Sequence, residues 1–293
     1  MTYKTIEYRV ENSILTLTLS RPEQMNSFTV EMSKELIAAY DRASQDDEVR
    51  AIVLTGSGKA FCAGMDLNPE GNVFGLDESL NPTLADVTER RHEPKIKEGL
   101  MDTGGQVTLA MYRCTKPIIA AINGAAVGIG ATMTCAADIR FASEKARVGF
   151  VFSKLGIVPE ACSTWFLPKI VGISQALEWT YRADILSAEE LKDGRFIKAI
   201  LAPDDLLPAA YRLAATFVSR APISIALIRQ MMYHNSAQPS PLEAHKIESL
   251  GMFYSSVTDG KEGVNAFLEK RSTEFKSRVS QDMPEFYPWW EES

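Results

Sequence analysis

An α/β core over residues 1–203 followed by a helical region over 204–293 is the organisation that three features of this chain point to. Short apolar runs alternate with amphipathic helical segments through the first two thirds. Two of those runs end in glycine-bearing turns, Lys59-Ala-Phe-Cys-Ala-Gly-Met-Asp-Leu67 and Ala121-Ile-Asn-Gly-Ala-Ala-Val-Gly-Ile-Gly130. After Ala202-Pro-Asp-Asp205 the pattern is nearly all helical.

Residues 6–9 and 14–19 read as two strands joined by a turn at Glu11-Asn12. Thr29 starts a helix to about Ser44, with Met32, Leu36, Tyr40 and Ala43 on one face. Residues 51–55 form a short apolar strand ending at Gly56-Ser-Gly58. From 68 to 105 the periodicity dissolves into glycines, prolines and alternating charges, the mark of a functional loop or of a solvated one. Residues 106–114 then look helical. The stretch 117–137 carries no charged side chain and is long enough to span a bilayer. It opens on Pro117 and is broken by Asn123-Gly124, Gly128 and Gly130, so it reads as a buried strand, a tight turn and a buried helix over 129–136. Strands follow over 138–142 and near 148–150. Pro159 suits the first turn of another helix. Ser187-Ala-Glu-Glu190 is a capping box, and Ser240-Pro-Leu-Glu243 and Asp259-Gly-Lys-Glu262 each offer an N-cap with Glu at N3. The aromatic tail Phe286-Tyr-Pro-Trp-Trp290 packs on its own chain or covers a partner subunit.

A net charge of −7 argues against a nucleic-acid binder, which needs a basic face. The four cysteines form no CxxC pair and no secretory signal leads the chain, so reduced thiols in the cytoplasm are expected. The three histidines lack metal-ligand spacing, which makes zinc an unsuitable expectation. Gly128-Ile-Gly130 followed by Met133 lacks the third glycine of a dinucleotide fingerprint, and no GxSxG of a serine hydrolase occurs.

Glycine holds positive φ cheaply and lets backbone N–H groups approach a ligand. Two such turns meeting in space would aim two amide donors at one oxygen, the geometry that stabilises an oxyanion. The carrying motifs are Arg21-Pro-Glu-Gln-Met-Asn26, Phe61-Cys-Ala-Gly-Met-Asp-Leu67, Lys116-Pro117, Ile122-Asn-Gly-Ala-Ala-Val-Gly128, Ala137-Asp-Ile-Arg140 and Leu155-Gly-Ile-Val-Pro159. In this order and spacing the chain resembles the crotonase (enoyl-CoA hydratase/isomerase) superfamily along nearly its whole length. The resemblance implies a spiral of ββα units with a C-terminal helical trimerisation region, assembled as a homotrimer or a dimer of trimers. It implies an acyl-CoA thioester substrate, no cofactor beyond that CoA, and neither a nucleic-acid nor a membrane partner. It also implies that the amides of Met65 and Ile129 hold the thioester oxygen as it becomes an enolate, with Gly64, Gly128 and Gly130 as backbone requirements and the backbone from Lys59 to Ala63 bordering CoA. Asp66 is expected to be a local turn former. By the same resemblance the segments around Lys59 and Arg21 border CoA, and either cation is a candidate for a phosphate.

Similar hydratases handle water with two glutamates. Here the first of those positions is Thr132, and counting back from Pro159 gives Phe152 at the second. A carboxylate stands instead at Glu160, where the run Gly156-Ile-Val-Pro-Glu-Ala-Cys-Ser163 looks like the peroxisomal-type Δ3,Δ2-enoyl-CoA isomerases. In those a single glutamate shuttles one proton between C2 and C4. Apolar neighbours (Val158, Ala161, Trp165, Phe166) would raise its pKa and make it a better base. If Glu160 is not the base, Glu93, Glu98 or Asp102 are the alternatives. The alternative functions are enoyl-CoA hydration and non-catalytic binding of a CoA ester.

Overall fold

The computed structural model describes residues 3–67 and 72–290. Strands β1 (Ile6–Glu11) and β2 (Ile14–Leu19) form a hairpin whose two-residue turn is Asn12-Ser13, both at positive φ. That handedness matches the twist of the flanking strands. Helix α1 (Val30–Gln45) is capped by Thr29 Oγ1, which accepts from Met32 N–H at 3.1 Å, and buries Met32, Leu36, Ala39, Tyr40 and Ala43. Strand β3 (Ala51–Gly56) pairs in parallel with β2, and β4 (Ala60–Cys62) follows.

The segment expected to be irregular carries two short helices, α2 (Leu84–Glu89) and α3 (Pro94–Gly99), and the start of α4 (Thr103–Arg113). Residues 68–71 of that segment lie outside the described residues. The short helices escaped the periodicity argument because Ile96 is their one buried side chain. They are specified by local signals instead: the Thr83–Asp86 capping box and Pro94 at the first helical position.

Two ββα units follow. The first is β5 (Ile118–Ile122), β6 (Ala125–Val127) and α5 (Ile129–Cys135). The second is β7 (Ile139–Ser143), β8 (Arg147–Gly149) and α6 (Ser163–Val171). Then come α7 (Ile173–Arg182), β9 (Ile185–Ser187), α8 (Ala188–Asp193) and β10 (Ala199–Leu201). Ser187 makes the expected capping box at α8. The strands divide between two sheets, β1-β2-β3-β5-β7-β10 and β4-β6-β8-β9, so each ββα unit gives its first strand to the large sheet and its second to the small one.

The central strands are apolar throughout because both faces are covered. Ile52 and Leu54 of β3, with Ile118, Ala120 and Ile122 of β5, face the main core beside α1 and α4. Ala51, Val53, Ile119 and Ala121 face α9 (Pro203–Val218), which lays Leu206, Ala210 and Ala214 on the sheet at i, i+4 and i+8. The remaining helices are α10 (Pro222–Asn235), α11 (Pro241–Val257), α12 (Asp259–Glu269) and the short α13 (Val279–Asp282). Ser240 caps α11 as expected, its Oγ accepting from Leu242 N–H. At α12 the cap residue is Thr258, and Asp259 is instead the first helical residue, tied by its carboxylate to Ser277. The aromatic tail packs on its own chain, with Trp290 stacked on His234 at a centroid distance of 3.7 Å.

Arg229 of α10 joins the helical region to the core. It is buried, donates to the carbonyls of Met111, Tyr112 and Cys114 at the end of α4, and pairs with Asp138 at 3.0 Å. Asp138 also accepts from Ile118 N–H and from the Tyr233 hydroxyl. Arg229 thus satisfies the orphan carbonyls of α4 and fixes that helix against the sheet. Arg229→Met leaves the part-buried Asp138 carboxylate without its cation and the α4 carbonyls without their donor, and the expected cost is about 3 kcal/mol, read as a lowered urea midpoint; a loss below about 1 kcal/mol refutes this role.

Candidate active site

The two glycine turns meet. Strand β4 pairs in parallel with β6, Ala60 opposite Ala125 and Cys62 opposite Ala126, so the turns that end these strands lie side by side. Gly64 has φ 110° and Gly128 φ 55°, ψ −122°, both in regions closed to most L-residues. A Cβ built on Gly128 would lie 4.0 Å from Gly64 Cα, and one on Gly64 would lie 3.3 Å from the Val127 carbonyl oxygen. At Gly130 a Cβ would overlap the Cys62 carbonyl, so this position too requires glycine for α5 to sit on β4.

Neither amide of interest serves the ladder. Met65 forms an isolated bridge with Phe28, but its bonds run from Phe28 N–H to the Gly64 carbonyl and from Asp66 N–H to the Phe28 carbonyl. Ile129 is the first residue of α5, where N–H groups have no intrahelical acceptor. Among the described residues, neither Met65 N–H nor Ile129 N–H donates to a protein acceptor.

Glu160 approaches this place from the other side. Its backbone differs from expectation: α6 begins at Ser163, and Pro159–Cys162 is a turn rather than a first helical turn. Ala161 and Cys162 are both left-handed, with φ 58° and 52°. Consecutive non-glycine residues in this region cost on the order of 1–3 kcal/mol each, a strain typical of functional turns. The turn aims the part-buried Glu160 side chain inward, where Thr132 Oγ1 donates to Glu160 Oε1 at 2.6 Å. Thr132 is fully buried on α5 and also lies 3.2 Å from the Gly128 carbonyl. Burial raises the Glu160 pKa to about 8; Thr132's hydrogen bond opposes the rise, and the nearby Asp102 carboxyl adds to it.

Gly104, in the first turn of α4, makes room for this carboxyl. A Cβ there would overlap both Glu160 Oε2 and Ile129 Cδ1. Sequence reasoning set Thr132 aside as unfit to be a base and singled out neither its hydrogen bond to Glu160 nor Gly104. The available signal was Asp102-Thr-Gly-Gly105, an N-cap residue followed by two glycines at a helix start.

The other anticipated residues divide clearly. Phe152, at the second hydratase position, is 4% exposed and packs in the main core. Arg21 pairs with Asp66 at 2.8 Å and donates to the Ser27 carbonyl, so it is engaged within the chain rather than offered to a phosphate. Asp66 accordingly anchors the turn, and Ala63 N–H donates to the Met25 carbonyl. Lys59 is exposed beside the first turn. Glu93 pairs with Arg90 and Glu98 is exposed on α3, whereas Asp102 stands next to Glu160. Among the described residues no three His, Cys, Asp or Glu side chains are grouped to hold a metal ion, and no helix is long and apolar enough to cross a membrane.

Known proteins resemble this chain along nearly its whole length. The family model for enoyl-CoA hydratase/isomerase matches residues 9–278. A probable enoyl-CoA hydratase from Rhodobacter capsulatus is 37% identical over 95% of this chain and all of its own length. A 1,2-epoxyphenylacetyl-CoA isomerase from Escherichia coli is 33% identical over 92% of this chain and 97% of its own. The crystal structure of an enoyl-CoA hydratase from Bacillus anthracis superposes with a TM-score of 0.81 at 27% identity, covering 93% of this chain and 99% of that one.

Two tests follow from the carboxyl's surroundings. In Gly104→Ala the flexible end of Glu160 yields to the new methyl, so the fold keeps its stability or gains up to about 1 kcal/mol of helix propensity. Turnover is expected to fall by about a hundredfold or more because the carboxyl is displaced. Wild-type turnover in this variant refutes the placement. The second test uses pH. A carboxyl whose folded pKa is raised from 4.5 to about 8 makes the folded state bind the extra proton across that window, so its contribution to stability falls as pH climbs through it. Glu160→Gln cannot ionise, and its melting temperature relative to wild type is expected to rise steadily from pH 5 to pH 8.5. A flat difference contradicts the raised value.

Proposed function

The chain belongs to the enoyl-CoA hydratase/isomerase family and is an enzyme of that kind, and on this premise we propose that it moves the double bond of an enoyl-CoA thioester from the Δ3 to the Δ2 position with Glu160 as its acid/base. The observation that carries the proposal is the Glu160 carboxyl, hydrogen-bonded to Thr132 and raised by burial, beside two turns with unengaged Met65 and Ile129 amides. The positions at which similar hydratases carry glutamates hold Thr132 and Phe152.

Ionised Glu160 takes a proton from C2 of the 3-enoyl thioester. The electron pair runs to the thioester oxygen, where the Met65 and Ile129 N–H groups receive the charge. Donors aimed where charge develops lower the barrier, and losing one costs about 10²–10³ in rate. Glu160 then returns the proton at C4, and the double bond settles between C2 and C3. Thr132 serves both states of the base. It donates to the carboxylate, and when Glu160 is protonated the hydroxyl accepts a hydrogen bond from the carboxyl O–H and turns its own hydrogen to the Gly128 carbonyl, 3.2 Å away.

CoA is expected along the first turn, with exposed Lys59 as the available cation near it. A homotrimer, or a dimer of trimers, is part of this reading. Its support is the apolar surface left uncovered on the C-terminal helices, where Phe253, Phe267 and Met232 are 62%, 81% and 72% exposed. An open cavity of about 660 Å³ between α6 and α10 adjoins that surface.

Hydration of a 2-enoyl-CoA is the second reading, favoured by the name of the Rhodobacter relative. Supplying 2-enoyl-CoA and 3-enoyl-CoA separately in heavy water, with products identified by mass, separates the two. Isomerisation without gain of oxygen is the expected result, reduced by at least about a hundredfold in Glu160→Gln with CoA-ester binding retained. Prompt formation of 3-hydroxyacyl-CoA from the 2-enoyl ester overturns the proposal.

A further inference from the structure

Glu160 has a second carboxyl beside it. Asp102 caps α4, an eleven-residue helix, and its Oδ1 accepts from Gly105 N–H. The same oxygen accepts, at 3.2 Å, from the N–H of Ala161, the residue that follows Glu160. Asp102 thereby ties the start of α4 to the left-handed turn that carries the base. The two carboxyls are close enough for Asp102 to raise the Glu160 pKa. Glycines at 104 and 105 allow the approach: a Cβ on Gly104 would overlap Glu160 Oε2, and one on Gly105 would lie 2.5 Å from Asp102 Oδ2. Glu160 Oε1 is engaged by Thr132 and Asp102 Oδ1 by two amides. Glu160 Oε2 and Asp102 Oδ2 take no part in those bonds.

Two adjoining carboxyls in one site ionise unequally, and their environments decide which keeps the proton. Asp102 is exposed and sits at a helix N-terminus with two N–H donors, which favours negative charge. Glu160 is part-buried, and burial disfavours its charged form. We propose that Asp102 is a positioning residue that sets the basicity of Glu160: held beside the base by the Ala161 amide, its carboxylate favours the protonated form of Glu160. The inference rests on Glu160 being the acid/base of the proposed isomerisation. Its consequence is catalytic. Once Glu160 has taken the substrate's C2 proton, the neighbouring negative charge stabilises that protonated state while the dienolate exists. The other titratable groups facing Glu160 are Cys62 of β4, Cys135 of α5 and Cys162 of its own turn. Burial pushes all three thiols up, Cys62 and Cys135 to about 12, so near neutral pH they bring no charge, and Asp102 is the charge that acts.

Asp102→Asn and Asp102→Ser keep an N-cap acceptor and remove the charge, so the helix start is retained. Infrared titration of the free enzyme follows the protonated-carboxyl carbonyl band that Glu160→Gln abolishes. In both neutral-cap variants its midpoint is expected to fall by about one pH unit. The ascending limb of kcat/KM for 3-enoyl-CoA moves down by the same amount, and its plateau drops about threefold because the base is weaker. A purely structural Asp102 would lower the plateau and leave both midpoints in place, which overturns the proposal. The infrared midpoint is read without substrate. A shifted midpoint in an enzyme that never isomerises therefore sinks the isomerase reading alone, and turnover with an unshifted midpoint sinks the carboxyl pair alone.

Discussion

Contact between the Gly64 and Gly128 turns is the constraint from which the rest of the site follows. Parallel pairing of β4 with β6 brings the two turns to one edge of the small sheet. Close packing there excludes side chains, since Gly128 faces Gly64 and Gly130 faces the Cys62 carbonyl. The same packing leaves the Met65 and Ile129 amides outside the ladder. A peptide N–H in that state has few ways to be satisfied, and a substrate oxygen is one of them. The site is therefore a by-product of how two sheets divide the ββα units between them, with alternate strands of each unit ending beside the next.

Around that fixed edge the polar groups are sorted by environment. Glu160 is held by a fully buried threonine hydroxyl against apolar neighbours, on a turn with two left-handed residues. Asp102 stands in the open on main-chain donors. Helix α4 links these local choices to the whole molecule. Its first turn adjoins Glu160 through Gly104, and its last carbonyls are held by buried Arg229. Arg229 and Glu160 therefore bear on opposite ends of one helix.

The sequence displayed the strands and the glycine turns because each has a local signature. β3 and β5 are unbroken apolar runs as both faces are covered, and Gly64, Gly128 and Gly130 mark places where a Cβ has no room. The motif around Pro159 points to Glu160, yet the helix start that Pro159 suits is a turn, with α6 beginning only at Ser163. Two left-handed residues at Ala161 and Cys162 carry no such signature, since neither is glycine, asparagine or aspartate. Thr132 was weighed as a missing base, whereas its role as a hydrogen-bond partner depends on a neighbour far along the chain. Asp102 was one of three acids in a stretch without periodicity. What distinguishes it from Glu93 and Glu98 is tertiary contact, which no spacing rule encodes.

The aromatic tail has a practical outcome. Three of the four tryptophans, Trp165, Trp289 and Trp290, surround Tyr112 and His234. Tyr112 lies near the end of the helix whose start adjoins Glu160, and its hydroxyl is 3.2 Å from His234 Nδ1. Burial lowers the His234 pKa to about 4, so the imidazole stacked on Trp290 is uncharged over the working range. Indole emission and near-ultraviolet dichroism therefore give a label-free optical readout of how residues 286–290 seat on α10, and a purification tag is better fused at the other end of the chain.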